Sequence, residues 1–285
     1  MTSGSAASDA ERDALAAATA AELAQAIAAG DLIPPLTTRH PTFDLATAWR
    51  VRQGLDAERR RRGAKPLGRK IGFTNRSIWP LYNVAAPMWA HVWSDSVIVA
   101  EDGTAMVSLA GLVQPRIEPE LALRLAHAPP AGGEDPERLL ASCDAYCHTI
   151  EIVQSHFPDW RFGLADAAAD AACHGRLVVG PWRRIDPARC VQIAAALAAG
   201  EVTLRRDGVA VETGRGANAL GHPALALGVY LVDALAHEPG APPLAAGEIV
   251  STGTLTDAYP VAAGETWTTT WSALDLAGLT VRLTA

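Results

Sequence analysis

The chain has 285 residues, room for one large domain or two, and its 49% hydrophobic and 19% charged content gives ample material for a core. With 24 basic against 31 acidic residues the net charge is −7, and the one basic run, Arg59–Arg62, reads as the solvated end of an amphipathic helix. A nucleic-acid role needs a larger basic footprint and is excluded. The four cysteines (143, 147, 173 and 190) form no CxxC pair or disulfide framework, and no charged-then-apolar leader opens the chain, so a reducing cytoplasm is expected. Cys143, Cys147 and the adjacent His148 could form a soft-metal site; two buried thiols beside a helix are the simpler reading. The most apolar stretch, 224–235, is short and contains Asp233, so no membrane span is expected.

Residues 1–8 are small and polar, and are predicted to be disordered. From Asp9, alanines with Leu15, Leu23 and Ile27 at helical intervals predict a helix that stops at Gly30. Pro34–Thr38 reads as a linker, and a second helix runs from Asp44 to Gly63 with Ala48, Val51, Leu55 and Ala57 on its apolar side. After Pro66 the texture changes to short β-like runs separated by glycine and proline, which divides the chain into a helical segment, 1–64, and a body, 65–285. Strands are predicted at 70–73 and 96–100, flanking an aromatic loop at 75–95 that holds Trp79, Tyr82, Trp89 and Trp93. Next come a strand around Glu118, a loop at 129–133, a helix over 138–149 feeding a strand at 150–153, a short helix over 165–173 and a strand at 177–181. Residues 188–199 fit helix or strand, because alanine removes the signal. A hairpin turns at Asp207-Gly208, Pro223 opens a helix, and strands follow at 248–252, 266–271 and 279–283. This order is α+β, without regular βαβ alternation.

The segment Ile117-Glu118-Pro119-Glu120-Leu121 carries the strongest chemical signal. Side chains alternate along a strand, so Glu118 and Glu120 share a face, and Pro119 pushes the residue before it out of the helical region. Glu151 is likewise a single charge inside Ile150-Glu151-Ile152-Val153. Carboxylates turned into a core repel and lose hydration unless a cation sits between them, and an all-oxygen set suits Mg²⁺ or Mn²⁺. The alternative is a solvent-facing sheet edge on which charges simply alternate. Lys70, alone among apolar neighbours, either snorkels to the surface or serves chemistry. Gly214-Arg215-Gly216 lacks the strand and third glycine of a dinucleotide site, and neither a P-loop nor a nucleophile elbow occurs. Cys173 and His174 are adjacent, a poor geometry for presenting both groups to one point.

In order along the chain, Gly68-Arg69-Lys70-Ile71-Gly72-Phe73-Thr74, Arg116-Ile117-Glu118-Pro119-Glu120, Ile150–Val153, Asp166–Asp170, Gly214–Pro223 and Ser251-Thr252-Gly253-Thr254 form a set of short motifs. This set resembles the 2-keto-4-pentenoate hydratase and 4-oxalocrotonate decarboxylase branch of the fumarylacetoacetate hydrolase superfamily, over roughly residues 65–285. The resemblance implies a β-roll catalytic body after the N-terminal helical segment, and a homo-oligomer built from dimers. It implies Mg²⁺ or Mn²⁺ on Glu118, Glu120 and Glu151, a 2-oxo acid as the small-molecule partner, and Lys70 stabilising or protonating an enolate.

The chain departs from the family pattern in several places. Where the branch has Asn-Ala-Ser-Ser, this sequence has Ala171-Ala172-Cys173-His174, so Cys173 replaces a hydroxyl near the substrate and His174 enters as a candidate acid or base. The loop Asn83–Ala90 has lost its acidic residue and gained Trp89. The expectation is a hydro-lyase acting on a 2-oxo-enoate, with Asp170 or His174 positioning water. Thr252, Thr254, Cys173 and Trp89 are expected at the substrate, and Trp79, Trp89 and Trp93 suggest an apolar tail. Decarboxylation, acylpyruvate C–C hydrolysis and an inactive metal-binding protein are the alternatives.

Overall fold

The computed structural model describes residues 8–82, 84–272 and 275–285. Residues 1–7 of the predicted disordered stretch, and Asn83 of the loop noted above, lie outside the described residues. Helix α1 (Asp9–Ala29) starts on a capping box between Ser8 and Glu11 and ends where Gly30 adopts φ 71°. One turn, α2 (Leu36–Arg39), begins inside the predicted linker and runs one residue past it, and α3 (Leu45–Arg61) is capped by the Asp44 carboxylate, which accepts the Thr47 N–H.

The body then runs β1 (Pro66–Gly72), α4 (Trp79–Tyr82), β2 (Met88–Trp93), β3 (Val97–Val99), β4 (Thr104–Ser108), β5 (Arg116–Leu125), α5 (Pro136–Leu140) and β6 (Cys143–Val153). It continues with α6 (Leu164–Ala169), β7 (His174–Val179), β8 (Arg183–Arg184), α7 (Cys190–Ala199), and the hairpin β9 (Glu201–Arg206) and β10 (Val209–Arg215). Last come α8 (Pro223–Leu225), a π-helical stretch Ala226–Val232, α9 (Asp233–His237), β11 (Ile249–Thr254), β12 (Tyr259–Pro260), β13 (Thr266–Trp271) and β14 (Thr280–Thr284). Among the described residues no helix is long and apolar enough to cross a membrane.

The expected aromatic loop contains a strand, β2, whose Trp89, His91 and Trp93 alternate onto one face in antiparallel register with β1. The helix expected over 138–149 stops at Leu140. From Cys143 the chain is strand, because β6 pairs with β5 almost throughout and that pairing overrides the local pattern. On this strand Cys147 and His148 point to opposite faces, and Cys143 and Cys147 are buried free thiols. Residues 190–199 are helical.

The larger sheet has the order β2-β1-β11-β5-β6-β7-β3, with β12 added on β5 and β8 on β6; the smaller has the order β10-β9-β13-β14-β4. One face of the larger sheet presents Ile117, Ile150 and Ile152 to Trp267, Leu279 and Val281 of the smaller sheet. His148 links the two: its Nδ1 lies 2.8 Å from the Glu120 carbonyl oxygen and its Nε2 2.8 Å from Thr269 Oγ1. Farther along the same face, Leu121, Leu123 and Leu125 pack on α5, α7 and the helical run 223–237. The opposite face is covered by the N-terminal helices, whose Leu23, Leu36 and Val51 share one cluster with Phe73, Phe157 and the alanines of α6.

His222 fastens the helical cover to itself. Its Nδ1 accepts the Ala224 N–H at 2.9 Å and its Nε2–H donates to the Ala194 carbonyl at 2.9 Å, so only the neutral ring serves both bonds. Burial lowers its pKa below the ordinary imidazole value. Above that value both the folded and unfolded rings are neutral; below it the unfolded ring takes up the proton first, so stability falls with falling pH. Urea unfolding from pH 7 to pH 5 is expected to show the wild type losing up to about 1.4 kcal/mol per pH unit more than His222→Asn. Equal pH slopes would refute the assignment.

Candidate active site

Strand register assembles the acidic cluster. Glu118 of β5 lies directly opposite Glu151 of β6, and Glu120 lies opposite Thr149. On the other side of β5, Ser251 of β11 pairs with Ala122 and, in parallel register, with Lys70 of β1. Directly paired residues share a face, so Lys70, Ser251, Glu120, Glu118 and Glu151 project together from four adjacent strands. One carboxylate oxygen from each of Glu118, Glu120 and Glu151 lies within 4.8 Å of the others.

Each group is held by a distinct set of bonds. Glu120 Oε2 accepts the Ser251 hydroxyl and the Gly253 N–H, the latter at 3.2 Å. Gly253 has φ 97°, and a Cβ there would stand 1.9 Å from Thr74 Oγ1, so only glycine lets this N–H approach. Glu151 Oε1 takes a hydrogen bond from His174 Nδ1 at 2.7 Å. Lys70 Nζ donates to the Ala172 carbonyl at 2.8 Å and forms an ion pair with Glu151 Oε2 at 3.2 Å. The carbonyl is aimed there by three successive non-glycine residues with positive φ, Ala171, Ala172 and Cys173. Such backbone costs on the order of 1–3 kcal/mol per residue and persists where packing over-determines it.

Burial, together with repulsion from Glu151 or from each other, pushes Glu118 and Glu120 up to about 8 despite the opposing Lys70 charge. Burial also raises Glu151. Burial pulls Lys70 down, but the carboxylates of Glu151, Glu118 and Glu120 outweigh it and hold the ammonium form above its ordinary range. Three carboxyl groups thus face one ammonium; the buried Glu120 Oε1 lacks a hydrogen-bond partner, and Glu151 Oε2 has the Lys70 ion pair at 3.2 Å. An all-oxygen cluster whose carboxyls resist ionising without a further positive charge beside them fits a hard divalent cation.

A narrow cavity reaches this cluster, with Lys70, Glu118 and Cys173 on its polar side and Phe73, Ile78, Tyr82, Val153 and Trp160 as apolar walls. Its free volume is about 20 Å³, space for roughly one water. Cavities of about 270 and 320 Å³ lie elsewhere, without a carboxylate from the cluster in their linings. Arg116 donates to the Tyr82 hydroxyl at 2.7 Å and lies 4.6 Å over the Trp160 ring, which fixes one wall.

Several expected site residues lie elsewhere. Trp89 pairs with Ile71, on the face away from Lys70, with the Arg52 guanidinium 3.9 Å over its ring; Trp93 shares that face. Of the tryptophans, Trp160 is the one that lines the cavity. The hydroxyls of Thr252 and Thr254 are buried and donate to the Leu121 and Thr256 carbonyls, so they are spent on the backbone. Asp170 is turned to His156, accepting from its N–H at 3.1 Å and lying 2.8 Å from its Nδ1, and it does not line the cavity. His174 stands behind Glu151 and is also absent from the cavity wall. Cys173 does line the cavity, as a thiol kept protonated by burial. Sequence reasoning gave no site role to Ser251, Gly253, Arg116, Tyr82 and Trp160, although Arg116 opened one motif already singled out, Ser251 and Gly253 each stood one position before a marked threonine in another, and Tyr82 lay in the aromatic loop.

A curled mixed sheet backed by a second sheet, with three acidic side chains and a lysine converging on one face, defines a β-rich class with a carboxylate cation site. Residues 77–280 match the family described as fumarylacetoacetate (FAA) hydrolase C-terminal, and the chain belongs to this family. It is 31% identical over 245 residues to the 2-hydroxyhexa-2,4-dienoate hydratase of Comamonas testosteroni, covering 85% of this chain and 88% of the relative. It is 32% identical over 245 residues to a 4-oxalocrotonate decarboxylase from Pseudomonas sp., covering 86% and 90%. The fold is shared with the 4-oxalocrotonate decarboxylase of Pseudomonas putida G7 in complex with magnesium and adipate, at a TM-score of 0.83 and 24% identity over 98% of this chain and 100% of that one. The resemblance to this branch and the α+β fold class are borne out.

Glu120→Gln mimics the protonated acid of the cation-free cluster. Metal-free stability at pH 7 is therefore expected to stay within about 1 kcal/mol of wild type, while Mn²⁺ affinity falls at least tenfold. Calorimetric titration checks this, and wild-type affinity in the triple variant Glu118→Gln, Glu120→Gln, Glu151→Gln would exclude the cluster as the cation site.

Proposed function

We propose that the protein is a divalent-metal-dependent hydro-lyase acting on a 2-oxo-enoate or its 2-hydroxydienoate tautomer, with Glu118, Glu120 and Glu151 holding the cation and Lys70 at the reacting atoms. The reading is carried by the convergence of three buried carboxylates and one lysine below a single narrow cavity. Relatives named 2-hydroxyhexa-2,4-dienoate hydratase and 2-keto-4-pentenoate hydratase, each 31% identical, support the reaction class. Solved neighbours complexed with magnesium or with Mn²⁺ support the cation. When bound, Mg²⁺ or Mn²⁺ supplies Lewis-acid polarisation to the oxygens of a 2-oxo acid.

The chain's own residues account for the rest. Lys70, kept protonated by its carboxylate neighbours and oriented by the Ala172 carbonyl, places a fixed positive charge where negative charge develops on the substrate's 2-oxygen. From the same position it can pass a proton to C3. Phe73, Ile78, Tyr82, Val153 and Trp160 exclude bulk water and favour an apolar substituent beyond the enoate. A cavity with space for one water admits such a substrate only when these walls move apart.

Decarboxylation is the second reading, and one observation favours it: beside Lys70, the ionisable groups lining the cavity are Glu118, Tyr82 and Cys173. With Glu118 assigned to the cation, no imidazole or second carboxylate on that wall activates a water. Loss of carbon dioxide from a tail carboxylate leaves its electron pair in the conjugated dienolate, which needs an electron sink and one proton, available from Lys70, and no activated water. The 32%-identical decarboxylase relative agrees with this second reading.

We also propose a homo-oligomer built from dimers, supported by the exposed Val99 and Met106. A cytoplasmic location is supported by four free cysteines. The division into a helical segment, 1–64, and a catalytic body, 65–285, is supported by a family match that begins at residue 77.

A Mg²⁺-supplemented set of 2-hydroxydienoates with differing tails is expected to show turnover preferring apolar tails, with a product heavier by one water. A product lighter by one carbon dioxide moves the assignment to decarboxylase. Lys70→Ala is expected to lower kcat by about 10²- to 10⁴-fold, and an unchanged rate removes the lysine from the chemistry. Light scattering that finds only a 29.9 kDa species would end the oligomer proposal.

A further inference from the structure

Among the described residues, His174 is the imidazole that touches a carboxylate of the acidic cluster. It opens β7 directly after the left-handed turn Ala171–Cys173. Its Nδ1 lies 2.7 Å from Glu151 Oε1 and its Nε2 lies 2.8 Å from Ser96 Oγ. The side chains of His174 and Glu151 are 1% and 0% exposed, and Ser96 is fully buried. Ser96 sits in the turn between β2 and β3, where its Oγ accepts the Trp93 N–H at 3.2 Å. A chain of bonds therefore runs from the backbone of that turn through serine and imidazole to the carboxylate.

The chemistry of the partners fixes the direction of each bond. Ionised Glu151 can only accept, so Nδ1 carries the ring proton; Nε2 is then a bare lone pair 2.8 Å from Ser96 Oγ, and the one serine proton is shared between it and the Trp93 carbonyl at 3.1 Å. Burial and the nearby Lys70 charge hold the ring's pKa well below its ordinary value, consistent with this single neutral tautomer. No face of His174 reaches the cavity, which leaves a reacting molecule out of its range.

We propose that His174, backed by Ser96, is a positioning residue that occupies Glu151 Oε1 and so leaves Oε2, the oxygen 3.2 Å from Lys70 Nζ, to face the divalent cation held with Glu118 and Glu120. This rests on the reading of the three carboxylates as the cation's ligands. A carboxylate tethered through one oxygen is fixed in rotamer and denticity before the cation arrives, so less ordering remains to be done on binding.

The test uses Mn²⁺ alone as the probe, with free Mn²⁺ counted by electron paramagnetic resonance and the melting temperature measured with and without the ion. His174→Leu is expected to weaken Mn²⁺ binding about 10- to 100-fold. Ser96→Ala is expected to weaken it less, in the same direction. His174→Asn, whose amide N–H can replace the donor to Glu151, is expected to recover most of the loss. A merely structural histidine would lower the metal-free melting temperature without changing the folded protein's Mn²⁺ affinity, and asparagine would rescue no binding. Wild-type affinity in folded His174→Leu, or asparagine no better than leucine, overturns the proposal. If His174→Leu does not fold, wild-type affinity in Ser96→Ala overturns it. Glu151→Gln separates the two levels: if it binds Mn²⁺ as wild type does, the ligand reading itself has failed.

Discussion

Three carboxylates buried against one ammonium set the terms for the rest of this structure. Removing each charge from water is unfavourable, and their mutual repulsion adds to it, so Glu118 and Glu120 are driven up to about 8. The surrounding backbone relieves what it can. Ser251 and the Gly253 N–H serve Glu120, His174 serves Glu151, and Lys70 is clamped to Ala172 beside them. Glu120 Oε1, without a hydrogen bond, and Glu151 Oε2, met only by Lys70, are the oxygens a cation would take.

That arrangement requires rigid strands on both sides. The face of the larger sheet away from the carboxylates is apolar and is pressed onto the smaller sheet and the 190–237 helices, so the pleat cannot turn the glutamates out to solvent. On the polar face the N-terminal helices and α6 share one apolar cluster with Phe73, Tyr82 and Trp160, which wall the cavity beside Lys70 and Glu118. The left-handed turn at Ala171–Cys173 belongs to the same design. Its strain is tolerated because the turn places one carbonyl on Lys70, one thiol at the cavity and one imidazole behind Glu151.

The aromatic residues divide by face. Trp89 and Trp93 were expected near the substrate because they share a stretch with Trp79, yet they project from the side of β2 opposite Lys70. There Trp89 stacks with Arg52, whose guanidinium forms a buried ion pair with Glu238. Trp160, 67 residues beyond Trp93, takes the cavity position, fastened by its indole N–H to the Gln114 carbonyl. A tryptophan's presence in a segment does not say which face it takes. The register of the strand that carries it does.

The sequence alone determined whatever depends on neighbours along the chain. Alternation on a strand put Glu118 and Glu120 on one face, Pro119 kept that segment extended, Gly30 marked the end of α1 and Asp44 the start of α3; the cap at Ser8 lay in the stretch expected to be disordered. The order of motifs was enough to place the family. Tertiary structure decided what depends on partners distant in sequence: that Glu151 stands opposite Glu118, that residues 143–149 are strand, and that Met88–Trp93 pairs with β1. It also decided that Thr252, Thr254, Asp170 and His174 turn away from the cavity. The reason is physical: a hydroxyl, carboxylate or imidazole bonds to whichever buried partner lies nearest in space, and that partner is supplied by another strand or turn.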